Sequence, residues 1–131
     1  MESMKERAYN MMASGLSCSQ VIMKLYHEDM GIDNPGLIKT LRGLGGGMAC
    51  QSICGTLTGG CCVIGCVNTA DDDKAIYRAL VKEFHEWFTL RYSNGVCKDI
   101  APPERSERLK ICPDIIADSY EKCIELMESV K

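Results

Sequence analysis

The chain has 131 residues, of which 46% are hydrophobic and 25% charged; such a chain can close an apolar core, which excludes disordered and collagen-like classes. Lys and Arg total 15 against 18 Asp and Glu, a net charge of -3, so there is no basic field to hold a phosphate backbone and nucleic acid is not an expected partner. Domains cluster around roughly 100 to 150 residues, so 1–131 is expected to form a single cysteine-rich helical domain.

The nine cysteines, about 7% of the chain, approach the level of small disulfide scaffolds, which require a secretory route. The opening MESMKERAYNMM instead places Glu2, Lys5, Glu6 and Arg7 where a signal peptide carries its apolar stretch. A cytoplasmic location is therefore expected, where many cysteines point to metal ligation or redox chemistry rather than structural bridges. The longest weakly polar run, Ile53 to Val67, holds four glycines and is shorter than the roughly 20 residues of a membrane span, so no membrane insertion is expected.

Helical periodicity runs through the chain. Met4, Ala8, Met11 and Met12 recur at helical spacing between Glu2 and Ala13, and Gly15 is a stop. Ser17 is a cap for a helix from Cys18 to Met30, with Val21, Ile22, Leu25 and Tyr26 on its stripe and Gly31 at its end. Asn34-Pro35 opens a short helix through Arg42. Gly43 to Gly47 is a loop, because each Gly costs about 1 kcal/mol in a helix interior; it suits a turn between closely packed helices, and without a P-loop Lys-Ser/Thr pair it is a weak phosphate site. Cys50 to Val67 is expected to be a central helix. Asp71, Asp72 and Asp73 favour a helix N-terminus from Asp72 to Tyr92, with Ile76, Leu80, Phe84 and Trp87 inward and Asn94-Gly95 as terminator. Cys97 and Pro102-Pro103 lie on a loop, and Pro113 begins a last helix to Val130 whose inner face carries Ile116, Tyr120, Cys123, Ile124 and Met127. The expected fold class is all-α, a bundle of about five helices.

Four cysteines stand in places that differ from those of buried filler. Cys18 in the first turn of one helix and Cys112 directly before Pro113 would both face unsatisfied N–H groups, which favours the thiolate. Cys97 is on a loop, and Cys54 begins the glycine-spaced CGTLTG. For each of these, the alternative is a small buried hydrophobe. On a continuous helix Cys50, Cys54 and Cys61 fall within about 40°, so Cys50 and Cys61 are additional candidate ligands. Cys62, Cys66 and Cys123 have apolar neighbours and are expected in the core, with Cys62 and Cys66 slow to alkylate and Cys18 and Cys112 fast. His27 and His85 sit beside acidic residues and read as solvated. There is no C-x-x-C dithiol, no C-x-x-C-H haem motif and no ferredoxin run.

SCSQVI, then GGGMACQSICGTLTGG, then single cysteines after NGV and before the final helix together resemble the C_GCAxxG_C_C family of redox-active proteins, over roughly Cys18 to Cys123. The family's cysteines fall on Cys18, Cys54, Cys97 and Cys112 and its glycines on Gly55 and Gly59, with Thr56 in an Ala place. The resemblance implies a small helical protein of poorly defined activity. A related domain in split-Soret cytochromes carries an iron–sulfur centre besides haem, and with no haem motif here only the cysteine centre carries over. On that basis Cys18, Cys54, Cys97 and Cys112 are the expected metal and cofactor-binding residues. They would hold an iron–sulfur cluster, with zinc as second choice, in an electron carrier with an unidentified redox partner protein rather than an enzyme with a defined substrate. The alternatives are a thiol–disulfide protein with a cycling pair, and a zinc-binding structural or interaction protein; a homodimer is compatible with each.

Overall fold

The computed structural model describes residues 2–131, apart from the side chain of Asp71, so that part of the acidic run lies outside the described residues. Seven α-helices follow in order: α1 (Met4–Ala13), α2 (Cys18–Met30), α3 (Pro35–Leu41), α4 (Gly55–Ile64), α5 (Lys74–Arg91), α6 (Cys97–Ile100) and α7 (Arg105–Glu128). Among the described residues no strand forms; the nearest approach is one antiparallel bridge between Ile53 and Val96. No described helix is long and apolar enough to cross a membrane.

Local signals set most boundaries. Ser3 caps α1, its hydroxyl accepting from the Glu6 N–H at 3.1 Å. Ser17 and Gln20 form a reciprocal box at the start of α2, and Gly31 closes that helix in the left-handed conformation with φ 69°. The Asn34 side chain accepts from the Leu37 N–H at 3.1 Å, with Pro35 in the first turn of α3. Asp73 caps α5, which starts at Lys74 and ends at Arg91, slightly inside the expected Asp72–Tyr92.

Two boundaries depart from expectation. The Cys50–Val67 segment is helical only from Gly55, because Gly46, Gly47, Met48, Ala49 and Gln51 all take positive φ and a chain so bent cannot carry the helical ladder. The last helix begins at Arg105, so Pro113 lies inside it rather than at its start. The ring removes the N–H that would reach the Leu109 carbonyl; packing of α7 on α1, α2, α4 and α5 holds the helix across the gap. Cys112 is therefore mid-helix, and Cys97 opens a short helix instead of riding a loop.

The core joins Val21, Ile22 and Leu25 of α2, Val63 and Ile64 of α4, Leu80, Phe84 and Phe88 of α5, and Ile116, Tyr120, Cys123 and Met127 of α7. Ile76, Trp87 and Ile124 pack at its margin, half-buried. His27 is buried, contrary to the solvated reading, where α3 turns back over α2 and the Gln20 amide donates to the Ile38 carbonyl at 3.0 Å. His85 is exposed.

The tightest joint is α2 on α4. A Cβ on Gly59 would stand 2.9 Å from Ser19 Cα and carbonyl oxygen and 2.8 Å from Ile22 Cγ2, and one on Gly60 would stand 2.5 Å from the Phe84 ring. Gly45 meets Ser17 as closely, at 2.5 Å, so the glycine turn does serve close packing. Gly59→Ala should lower unfolding stability by about 1–3 kcal/mol, the range for overpacking, in urea melts followed by circular dichroism. Gly43→Ala, whose Cβ meets nothing within 4 Å, should leave stability unchanged or slightly raised.

Candidate functional site

Four elements each deliver one cysteine to a single cavity. Cys18 opens α2, Cys54 immediately precedes α4, Cys97 opens α6 and Cys112 comes from the middle of α7. Together with Thr56, Ile100, Ala101, Arg108 and Ile115 they line a space of about 10 Å³, room for one water molecule. All four are buried, with 6–8% exposure.

Backbone pairing fixes two of them. The Cys97 N–H donates to the Ser52 carbonyl at 2.6 Å and the Cys54 N–H to the Gly95 carbonyl at 2.7 Å, so the two segments run antiparallel and bring Cys54 beside Cys97. Gly47 presses on this pair; a Cβ there would be 2.8 Å from Cys97 Cβ and 2.5 Å from the Ser52 nitrogen. Gly55 lies against the Ser19 backbone, which sets Cys54 next to Cys18.

The thiols are electrostatically unequal. The Cys112 thiol beside Cys18, ahead of burial, holds the Cys18 thiol well above its usual range. The same pairing lowers Cys112, against burial, with the Arg108 charge assisting. Burial pushes Cys54 up to about 11, partly offset by the Thr56 and Leu57 N–H groups and the Thr56 hydroxyl. Burial also raises Cys97, while Arg108 draws it down. The Arg108 guanidinium donates to Cys97 Sγ at 3.7 Å and to the Pro102 carbonyl at 2.9 Å. Among the described residues it is the only charged side chain lining the cavity.

The four cysteines singled out in the sequence thus line one cavity. The remaining expectations change. Cys50 and Cys61 do not line the cavity: Cys50 is exposed on the left-handed turn, and Cys61 is two turns along α4, about 10 Å from Cys54 on the helix axis. Cys62 is exposed and Cys66 half-exposed, because the outer stripe of α4 runs through Thr58, Cys61, Cys62 and Gly65 while its glycine face turns inward. Only Cys123 of that trio is core, fully buried. The fast alkylation expected for Cys18 loses its physical basis, whereas Cys62, though exposed, keeps a thiol that partial burial raises. The N-terminal position of Cys18 is outweighed by burial and by the Cys112 thiol beside it, and Cys112 owes its lowered range to Cys18 and Arg108 rather than to a helix end.

Nothing in the sequence around Arg108 marks it as a cavity residue. It lies three residues after Arg105 in a run of charged residues, and only the fold shows which of them turns inward. Thr56 also gains a role: its hydroxyl, absent from the family's Ala, faces the Cys54 sulfur.

Four thiols are the donor type and number that zinc or an iron–sulfur cluster takes. As the side chains stand the space is too small for a cluster, and among the described residues no group of three or more His, Cys, Asp or Glu side chains has the spacing to hold a metal ion.

A family model described as "Putative redox-active protein (C_GCAxxG_C_C)" matches residues 16–126, which include all four cavity cysteines. No curated protein and no solved structure matches the chain.

In reduced, metal-free protein, the pH profile of iodoacetamide labelling should have its midpoint below the ordinary thiol range for Cys112 and well above it for Cys18, read by peptide mass spectrometry. Arg108→Gln should move the Cys112 profile to higher pH and Arg108→Lys should move it less, since either cation favours the anion.

Proposed function

The chain belongs to the C_GCAxxG_C_C family, and from that membership and the facing Cys18 and Cys112 thiols we propose that it works as a thiol–disulfide redox protein in which this pair cycles. The observation that carries the reading is that Cys18 and Cys112 line one buried cavity with Arg108, where the proximity of the two thiols raises Cys18 and lowers Cys112. Such a pair divides the roles of attacking and resolving sulfur.

In the oxidative direction the Cys112 thiolate attacks one sulfur of a disulfide on the redox partner, and the partner's other sulfur leaves as a thiolate and takes a proton from solvent. Cys18 then loses its proton and attacks the Cys112 sulfur of the mixed disulfide, closing the Cys18–Cys112 bond and freeing the second partner thiol. Two electrons pass from this chain to the partner, and the two protons that the partner's thiols take from solvent equal those that Cys112 and Cys18 have released. Arg108 stabilises the Cys112 anion before the first attack and the departing thiolate after it. Cys54 and Cys97, both raised, stay protonated at neutral pH and keep the cavity from accumulating negative charge. The 7–8% exposure of the pair restricts the first attack to a small or narrowly presented disulfide.

Metal loading is the second reading, favoured by the count of four thiols from four separate elements. Cys18, Cys54, Cys97 and Cys112 would hold an iron–sulfur cluster or a zinc ion after the side chains rearrange, and a cluster would supply one-electron transfer.

Anaerobic purification with iron and zinc analysis, followed by titration in a glutathione redox buffer, separates the two. The expected result is metal-free protein that titrates with two electrons, with the oxidised form carrying a link between the Cys18 and Cys112 peptides. Cys112→Ser should abolish that titration while helical circular dichroism persists. Stoichiometric iron with a visible absorption band, or stoichiometric zinc, lost in Cys54→Ser and Cys97→Ser as well, would overturn the thiol–disulfide reading in favour of the metal centre.

A further inference from the structure

Apart from the buried four, a second group of thiols surrounds the last turns of α4. Cys62 is exposed and Cys66 half-exposed, four residues apart, and the Cys66 thiol donates to the Cys62 carbonyl at 3.5 Å. We propose that Cys62 and Cys66 form a separate surface dithiol, a modification site that low-molecular-weight disulfides oxidise to an intramolecular bond.

The end of α4 sets the Cys66 sulfur against the turn that carries Cys62. Its last regular residue is Ile64; the Cys66 N–H bonds back to the Val63 carbonyl at 3.0 Å rather than to Cys62. The Cys62 carbonyl has therefore lost its helical donor and takes the Cys66 thiol instead, which holds that sulfur over the preceding turn. Residues four apart on a helix have Cβ atoms about 5–6 Å apart, whereas a disulfide needs about 3.5–4.5 Å. The turn that must tighten is the one that ends at Gly65, which has no side chain to obstruct it.

Neighbouring thiols do not compete. Cys123 is fully buried and its Sγ donates to the Gly60 carbonyl at 3.6 Å. Cys61 is half-buried, and a bond between adjacent Cys61 and Cys62 would require their peptide unit to leave helical geometry. Cys54 is about 12 Å back along the helix axis, so this dithiol is distinct from the cavity.

The chemistry balances with the small disulfide as oxidant. The Cys62 thiolate attacks one of its sulfurs and the first small thiolate leaves, taking a proton. The Cys66 thiolate, its proton released to solvent, then attacks the Cys62 sulfur and expels the second small thiolate. One disulfide is reduced to two small thiols and one intramolecular bond forms.

Full-length reduced protein would be incubated anaerobically with oxidised glutathione, digested with trypsin and read by fragmentation mass spectrometry. The expected product is the peptide from Gly43 to Lys74 lighter by two hydrogens, with the link between Cys62 and Cys66. In Cys66→Ser the same treatment should leave one glutathionyl group on Cys62, because no second sulfur is within reach. Two free thiols in the oxidised wild type, a stable glutathionyl adduct on Cys62 in the wild type, or a link to any other cysteine would each overturn the proposal. The Cys18–Cys112 link joins two other peptides, so success or failure of the buried pair is scored separately in the same digest.

Discussion

The approach of α4 to α2 governs the rest of the molecule. A Cβ on Gly59 would stand 2.9 Å from the Ser19 backbone, a distance no β-carbon would permit, one on Gly55 would come nearly as close at 3.3 Å from the Ser19 nitrogen, and the Ser19 hydroxyl is tied to the Leu41 carbonyl at 2.7 Å. Because Cys18 precedes Ser19 and Cys54 precedes Gly55, the contact that joins the helices also joins two of the four thiols. Gly60 on the adjoining stripe admits Phe84 and places Cys123 against the same helix. A single face of small residues therefore fixes the core and the cavity together, and any bulk added there disturbs both.

Against this rigid joint stands a strained segment. Met48, Ala49 and Gln51 hold positive φ, a conformation that costs L-residues energy and persists where surrounding contacts impose it. Here the imposing contacts are the Ser52 N–H to Gly47 carbonyl bond at 2.9 Å and the pairing of Ser52 with Cys97. The strain and the site share the same few residues, so the position of Cys97 depends on a turn that helix propensity would never select.

Much of this was legible in the sequence. Caps and glycine stops fixed α2 to the residue, because Ser17, Gln20 and Gly31 act through local hydrogen bonds and local φ preferences. The four cavity cysteines followed from family spacing. What failed was non-local. Nothing near Cys50 announces that Gly46 to Gln51 will be held left-handed against Cys97, and Pro113 signals a start only if long-range packing of α7 is ignored. Cys62 looked apolar from Val63 and Ile64 beside it, yet its exposure depends on which face of α4 the glycines turn toward α2. The inward rotation of Arg108 rests likewise on a cavity formed by three other helices.

Pro113 has a kinetic consequence. The helix hydrogen-bond ladder lacks one rung directly beside Cys112, where the Leu109 carbonyl has no helical donor, and a ladder with a missing rung opens there at lower free energy than elsewhere. Local opening of that stretch of α7 would expose Cys112 without dissolution of the bundle. Amide exchange in the turn around Leu109 and the rate of entry to the cavity become two measures of the same opening.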